Sequence, residues 1–386
     1  MRKPGRKMGG EHRTNSCMNG ATPTRQGSEG LSIRIRVTRR PDCIVCRSPG
    51  QVLYEGLTDR TSGASGVWTL RRCASGACGL IWLDPMPAED EIWKAYTTYY
   101  THSQIKQSVP QVDPVRRLFR TVMSALESGY HCVRYGHHGA TKSPVKLITG
   151  LLGYLFPWRQ SEWDLSAAFL QCAPGGRLLE VGCGSGDLLK KLGKLGWCVE
   201  GLDTDAHAVE IAVAKGLLVR CGTLKEMKYP GNQFDAIVMV HVIEHVHDPF
   251  SLLRECSRVL KSDGWLVLVT PNVRSLCHKL FGRSWLHLDP PRHLHLFTQA
   301  PMKRLLDESG FQKRKLFTTV RDADGVFAAS RAIRRTGKYK MQSRQPRIIR
   351  MLGRCMQMAE WLALWVQPSC GEELTVVAQK NQVGSQ

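Results

Sequence analysis

The sequence predicts an α/β protein built on a doubly wound, largely parallel sheet, with two smaller regions ahead of it. Three observations carry this expectation. From Arg177 onward short β-like runs alternate with helical patterns, a glycine-rich turn follows the first run, and a carboxylate ends the second. The runs are 177–182, 198–203, 217–221, 234–241, 264–270, 313–320 and 373–379, and helical patterns at 186–195, 206–215, 250–260 and 300–309 separate most of them. The expected organisation is a basic disordered tail at 1–40, a short-stranded cysteine-bearing module at 41–85, a helical linker or cap at 86–165, the sheet domain at 166–323 and 368–381, and a helical insertion at 324–367.

A chain of 386 residues is long enough to bury a real core in two or three domains. Its net charge of +21 is concentrated in two places. Residues 1–40 carry ten Arg or Lys against Glu11 and Glu29, and 331–354 carry nine with no acid, so the rest is nearly balanced. Such segments are solvated unless they meet an anionic surface, either nucleic acid or membrane. The aromatic and basic interleaving of a nucleic-acid surface is thin outside 331–340. With no apolar run near the ~18 residues of a membrane span and no signal-peptide core, the expected location is cytoplasmic. Fourteen cysteines in a reducing compartment point to thiols and a metal rather than a disulfide framework.

In "LLEVGCGSGDLL", Gly182, Gly184 and Gly186 leave the strand-to-helix turn bare, so that a ligand can lie against backbone and helix N-terminus. A dinucleotide fingerprint wants G-x-G-x-x-G; here Asp187 holds the position of that third glycine, and Glu180 precedes the loop. The next strand ends in "VEGLDTD", where Asp203 can accept both hydroxyls of a ribose. A third element, "FDAIVMVHVIEHVHDP", follows in order.

Together these motifs resemble the class I S-adenosylmethionine-dependent methyltransferases, and "IEHVHDP" is similar to the branch containing the ubiquinone-biosynthesis enzymes. The resemblance covers about half the chain and implies a Rossmann-like seven-stranded methyltransferase sheet with S-adenosyl-L-methionine as cofactor. It further implies that Gly182, Gly184 and Gly186 line the methionine and ribose, that Glu180 supports the loop, and that Asp203 holds the ribose. Thr223 and Leu224 of "CGTLKEM" stand at the adenine, where relatives often have an acid that this chain lacks.

"PDCIVC" and "RRCASGACGLIWLDPMP" supply Cys43, Cys46, Cys73 and Cys78, a two-plus-two set able to hold a closed, structural zinc. Such an ion, worth ~10–16 kcal/mol, can hold together a segment too small for its own core. The phrase that runs from there to "EIWKAYTTYY" resembles the N-terminal ribbon of bacterial methyltransferases linked to glycan modification, as does "DPPRHLHLFT".

A hydroxyl acceptor needs a base beyond the carboxyl ends of the strands. The histidines offered there are His241, His245 and His247 after the fourth strand and His293 and His295 after the fifth, with Glu244 among them; His245 and His293 are the preferred bases. The resemblance also implies that Glu244 and His245 can ligate a metal. The triplet at 289–291 is not the signature of an amino methyltransferase, because it follows the fifth strand and precedes Arg292.

In the insertion, Ile348, Ile349, Leu352, Met356, Ala359 and Leu362 share one helical face, expected to pack on the core as a lid or to lie at a membrane interface with "KLITGLLGYLFPW" beside it. The expected activity is methyl transfer to a hydroxyl or carbon of a small-molecule, saccharide or lipid-linked acceptor. The rival is a catalytically silent or nucleic-acid-associated protein of the same fold.

Overall fold

The computed structural model describes residues 34–96, 114–137, 143–171, 173–341 and 345–381. The tail expected at 1–40 therefore lies mostly outside the described residues.

Ahead of the main sheet come β1 (Val37–Thr38), β2 (Gly50–Leu57), β3 (Trp68–Cys73), β4 (Ile81–Leu83), β5 (Met86–Pro87) and a 3-10 turn at Ile92–Tyr96. Three helices follow: α1 (Pro114–Tyr135), α2 (Pro144–Gly153) and α3 (Pro157–Ser166). The main sheet is built from β6 (Arg177–Val181), β7 (Cys198–Asp203), β8 (Val219–Cys221), β9 (Phe234–Val240), β10 (Leu260–Pro271), β12 (Phe311–Thr319) and β13 (Glu373–Lys380), with β11 (His295–Leu296) standing outside it. The helices among them are α4 (Asp187–Lys194), α5 (Ala206–Ala214), α6 (Pro249–Val259), α7 (Leu276–Phe281), α8 (Gln299–Glu308), α9 (Ala323–Thr336) and α10 (Arg347–Ala363).

The seven strands run in the order β12-β13-β10-β9-β6-β7-β8. All neighbours from β10 to β8 are parallel, and β13 is antiparallel to both β10 and β12. Strand periodicity explains the layering. Leu179, Ile237, Leu266 and Leu268 enter one apolar cluster with Leu253 of α6 and Leu305 of α8. Their neighbours Leu178, Ala236 and Val267 point the other way, toward Leu192 of α4 and Trp197. Side chains start the helices: Asp205 accepts the amides of His207 and Ala208, and Asp248 that of Ser251. This arrangement brings the glycine loop, Asp203, His241, Arg321 and Glu373 to the edge formed by the carboxyl ends of the parallel strands.

The cysteine region has no core of its own and packs into the main domain. Its sheet, β2-β3-β4, is extended by β11 from the far half of the chain, with His295 opposite Trp82. Cys43, Val45, Leu80 and Trp82 belong to the same apolar cluster as Leu179, Leu268 and Phe297 of the main domain. The cysteine region is thus an extension of the core of the main domain.

At this junction Arg292, 0% exposed, makes a two-pronged ion pair with Asp59, from Nη1 to Oδ2 at 2.7 Å and from Nη2 to Oδ1 at 2.9 Å. Its Nε also donates to Asp289 Oδ2 at 2.9 Å and Nη1 to the carbonyl of Ala95 at 3.1 Å. Asp59 accepts the amides of Thr61, Ser62 and Ala64 as well, so every charge in the knot is paired.

The insertion corrects the periodicity argument. Helix α10 docks through Gly353, Gln357 and Glu360, a seam in which Gln357 donates to the Val320 carbonyl and Glu360 accepts the Leu276 amide. A Cβ at 353 would stand 2.6 Å from the Asp324 carbonyl, so glycine is required for the approach. The apolar residues Ile348, Leu352 and Leu362 remain exposed.

Replacing Arg292 by Met leaves Asp59 buried without its counter-charge, held only by its bonds from Thr61, Ser62 and Ala64. Chemical denaturation of Arg292→Met is expected to show a loss of about 3–5 kcal/mol; a loss below about 1 kcal/mol contradicts the assignment of the knot as a joint.

Candidate active site

The glycines of the loop adopt left-handed backbone, with φ of 73° at Gly182, 52° at Gly184 and 77° at Gly186. A Cβ at 182 would strike Val242 at 2.4 Å and one at 186 would strike Leu217 at 2.4 Å, whereas one at 184 meets nothing within 4 Å. Two of the three glycines therefore let protein pack on protein, and Gly184 faces open space.

Asp203 is tied to this loop. Its Oδ2 accepts the Gly184 amide at 2.7 Å and its Oδ1 the Asp205 amide at 2.9 Å. Each oxygen retains a lone pair for a further donor. Burial raises the Asp203 pKa, against the bonds from Asp205 and Gly184. Beside it, Glu180 is buried, and burial pushes its carboxyl up to about 8. Among the described residues Glu180 Oε2 has no hydrogen-bond partner. A loop with an open glycine, a carboxylate with free lone pairs and an orphaned buried oxygen fits a nucleoside bearing hydroxyls and a cationic amino-acid tail, the chemistry of S-adenosylmethionine.

The position expected at the adenine is locally ordered. Thr223 and Glu226 form a reciprocal cap, Thr223 Oγ1 accepting the Glu226 amide at 3.3 Å and Glu226 Oε2 the Thr223 amide at 2.8 Å. Leu224 is 2% exposed and packs with Leu179 and Leu202 in the core.

Four imidazoles line the other side in a run. His241 stacks on His287 at 5.9 Å, His287 on His293 at 6.1 Å, and His293 meets His245 edge-on at 4.7 Å. Their charges differ. Burial opposes the charge of His241, but its Nδ1 donates to Glu244 Oε1 at 3.1 Å and its Nε2 to Glu373 Oε1 at 2.9 Å, and these bonds prevail, pushing its pKa up to about 10. Glu244 and Glu373, despite burial, are held at about 2. Arg321 also donates to Glu373, at 2.8 Å from Nε to Oε2. The two carboxylates thus favour the imidazolium of His241, which is unsuited to be the base, although Arg321 Nη2 also approaches its Nε2 to 2.9 Å. His245 is the reverse: burial, then the neighbouring His293, push it down to about 4, and it is neutral.

Its tautomer follows from its partners. Nδ1 of His245 lies 3.0 Å from the Arg292 carbonyl, which can only accept, so Nδ1 carries the proton and Nε2 the lone pair. The Tyr96 hydroxyl oxygen sits 3.0 Å from the same Nδ1. His293 Nδ1 likewise donates to the His287 carbonyl at 2.7 Å. A ring nitrogen of His245, one of His293 and a carboxylate oxygen of Glu244 lie within 4.8 Å of one another, a set able to hold a cation. The remaining histidines lie elsewhere: His247 bonds the Pro87 carbonyl, and His295 is buried in β11.

Sequence reasoning missed Tyr96, His287, Arg321, Glu373 and Arg292. A signal existed for Glu373: it stands at the head of a strand whose next five residues, 374–378, include only one polar side chain, Thr375.

In the ribbon all four cysteine sulfurs lie within 4.8 Å of one another, with Cys43 and Cys78 at 3.7 Å and Cys46 and Cys73 at 3.3 Å. Tetrahedral zinc with bonds of about 2.3 Å spaces its sulfurs about 3.8 Å apart, so the set fits the ion.

The strand order, the glycine loop and the acidic end of the second strand define a nucleoside-binding transferase of the α/β class. A family model described as a methyltransferase domain matches residues 158–316. The chain is 33% identical over 162 residues to a ubiquinone biosynthesis O-methyltransferase of Bradyrhizobium sp. (strain ORS 278), covering 40% of this chain and 64% of that one. It is 30% identical over 168 residues to the enzyme of that name from Cereibacter sphaeroides (strain ATCC 17029 / ATH 2.4.9), covering 41% of this chain and 67% of that one. Among solved structures, the Haemonchus contortus phosphoethanolamine N-methyltransferase 2 complex with S-adenosyl-L-methionine aligns with a TM-score of 0.42 at 16% identity, over 61% of this chain and 57% of that one. The chain belongs to the class I S-adenosylmethionine-dependent methyltransferases. It spans a little under two thirds of the first of the curated relatives.

Two outcomes are expected. His241 holds its proton up to about pH 10 in the folded state but only to about 6.5 when unfolded, so its contribution to stability is full below 6.5 and disappears as pH rises through 10. Glu180 and Glu360 titrate near 8 and burial pushes Glu372 well above the usual carboxylate range, so between pH 8 and 10 only the difference between wild type and His241→Gln reports on His241. There the melting temperature of the wild type should fall with pH more steeply than that of His241→Gln, and equal slopes contradict the imidazolium. Removing metal with a strong chelator should lower the melting temperature of the wild type and leave that of Cys46→Ser unchanged; an unresponsive wild type rules out the zinc.

Proposed function

We propose that the protein transfers a methyl group from S-adenosylmethionine to a hydroxyl, or a carbon, of a small-molecule, saccharide or lipid-linked acceptor. The observation that carries this reading is the neutral His245, with its Nδ1–H fixed on the Arg292 carbonyl, on the strand-end edge shared with the loop and Asp203. When bound, the cofactor supplies an electrophilic methyl on a sulfonium. Gly184 gives it room, while Asp203 and Glu180 accept its hydroxyl and ammonium donors. His245 takes the acceptor's proton at Nε2, and the resulting imidazolium is stabilised by nearby Glu244. His241 keeps its charge throughout and holds Glu244 and Glu373 in place. Alignment of the acceptor can contribute ~7–11 kcal/mol to lowering the barrier.

A cavity of about 450 Å³ beside Arg321 supports an acceptor with an apolar part. Phe119, Met123, Phe156 and Trp158 line one side of it. An acceptor carried on a lipid would bring the protein into peripheral contact with an anionic membrane.

The converging donors of Glu244, His245 and His293 favour a second reading, in which a divalent cation binds the acceptor oxygen. In both histidines one ring nitrogen is fixed by a carbonyl, which leaves the other free to face a cation.

The test is incubation with radiolabelled donor and fractionated cell extract, with and without chelator. Label entering a lipid, saccharide or small-molecule fraction supports transfer, and label in nucleic acid alone, or none, contradicts it. Activity that survives the chelator identifies His245 as a base acting without metal; activity lost and restored by a divalent cation identifies the metal reading. Asp203→Ala should weaken donor binding in calorimetry at least about tenfold, the loss of one or two hydrogen bonds to a charged group. His245→Asn should leave donor binding unchanged and remove transfer.

A further inference from the structure

The α1–α2 hairpin is built inside out. Helix α2 buries only Gly150 and Gly153, and a Cβ on Gly150 would stand 2.5 Å from the Gly129 carbonyl of α1. The helices meet glycine to glycine, and the large side chains of α2 point away from the protein. Val145 is 68% exposed, Leu151 58% and Leu155 67%, with Leu147, Ile148 and Leu152 exposed beside them. Helix α1 adds Val115, Leu118, Phe119 and Val122, and α10 adds Ile348, Met351 and Leu352. Phe119 of α1 and Arg354 of α10 line the same cavity, so these two helices border one opening.

The exposed charges on these segments have a single sign, because Glu360 of α10 is buried and Glu127 of α1 is half-buried and accepts the Ser166 hydroxyl. Arg116, Arg117 and Arg120 lie on α1, Lys146 on α2, and Arg347, Arg350 and Arg354 on α10, while 114–126, 144–158 and 347–359 contain no acidic residue. Such a surface matches a partner that is anionic outside and apolar beneath. A second copy would bring the same cations into the interface. Helix α2, ten residues and about 15 Å long, reaches half the ~30 Å hydrocarbon core, and among the described residues no helix is long and apolar enough to cross it.

We infer that the α1–α2 hairpin, flanked by α10, seats the protein on an anionic lipid bilayer, its leucines at the acyl boundary and its arginines at the headgroups. The cavity then opens toward the membrane, where a lipid-linked acceptor can enter. The inference rests on the reading of peripheral contact, and donor binding is independent of it.

The test is flotation of the full chain with phosphatidylcholine vesicles, with and without phosphatidylglycerol. The wild type should float with the anionic vesicles. The pair Leu147→Ser and Leu151→Ser, which leaves every cation in place, should weaken that binding at least about tenfold, the loss of two buried leucines. Replacing Arg116, Arg117 and Arg120 by Ser should reduce the preference for anionic over neutral vesicles. Unchanged melting and donor binding establish that the variants fold. The inference is overturned if the leucine pair floats like the wild type, or if the wild type ignores vesicles and sediments as a dimer that the leucine pair dissociates.

Discussion

The buried guanidinium of Arg292 is the constraint on which the rest of the molecule depends. Its side chain binds Asp59 from the ribbon region, Asp289 from its own loop and the carbonyl of Ala95 before Tyr96. Its own carbonyl receives the Nδ1–H of His245, and the next residue is His293. One residue thus joins the ribbon, the turn that presents Tyr96 and the two preferred bases. A charge with 0% exposure is tolerated only with every donor directed, and here the carboxylates and carbonyl supply that. The ribbon helps to shape the cleft: without Asp59 the loop that carries the histidines would lose its anchor.

The cleft divides charge in a way that suits proton transfer. Two imidazoles four residues apart, His241 and His245, share Glu244 as a neighbour, yet one is held protonated and the other neutral. The difference lies in what each nitrogen touches. His241 faces two carboxylates, whereas His245 faces a carbonyl and a phenol, neither of which stabilises a second proton. A permanent imidazolium balances the buried acids, and the neutral ring stays available. That pairing of opposite protonation states assigns different roles to residues of one motif.

Much of this was legible in the sequence. The strands were visible because alternate residues serve opposite faces of the sheet, as Leu178 and Leu179 do. The glycine loop and Asp203 were legible because steric permission and a strand-end carboxylate leave a local pattern. The burial of the Leu224 side chain was not, because position in a motif does not say which way a side chain points. Helix α10 follows its periodicity only in part: its inward face is Gly353, Gln357 and Glu360, chosen for close approach and hydrogen bonding, with Met356 packed on the core beside them, while Ile348, Leu352 and Leu362 are left outside. Arg292 and Asp59 pair across 233 residues, a relation no local pattern encodes. The roles of His241 and Glu373, 132 residues apart, were hidden for the same reason.

The claim at the centre is that the bare loop and Asp203 hold the donor on the edge where the histidine run begins. A crystal structure with S-adenosylhomocysteine bound tests it most directly. The account predicts ribose hydroxyls on Asp203, the nucleoside against Gly184, and the sulfur turned toward His245 with the Arg292 knot intact. A ligand lodged elsewhere, or one whose sulfur faces away from the histidines, would contradict it.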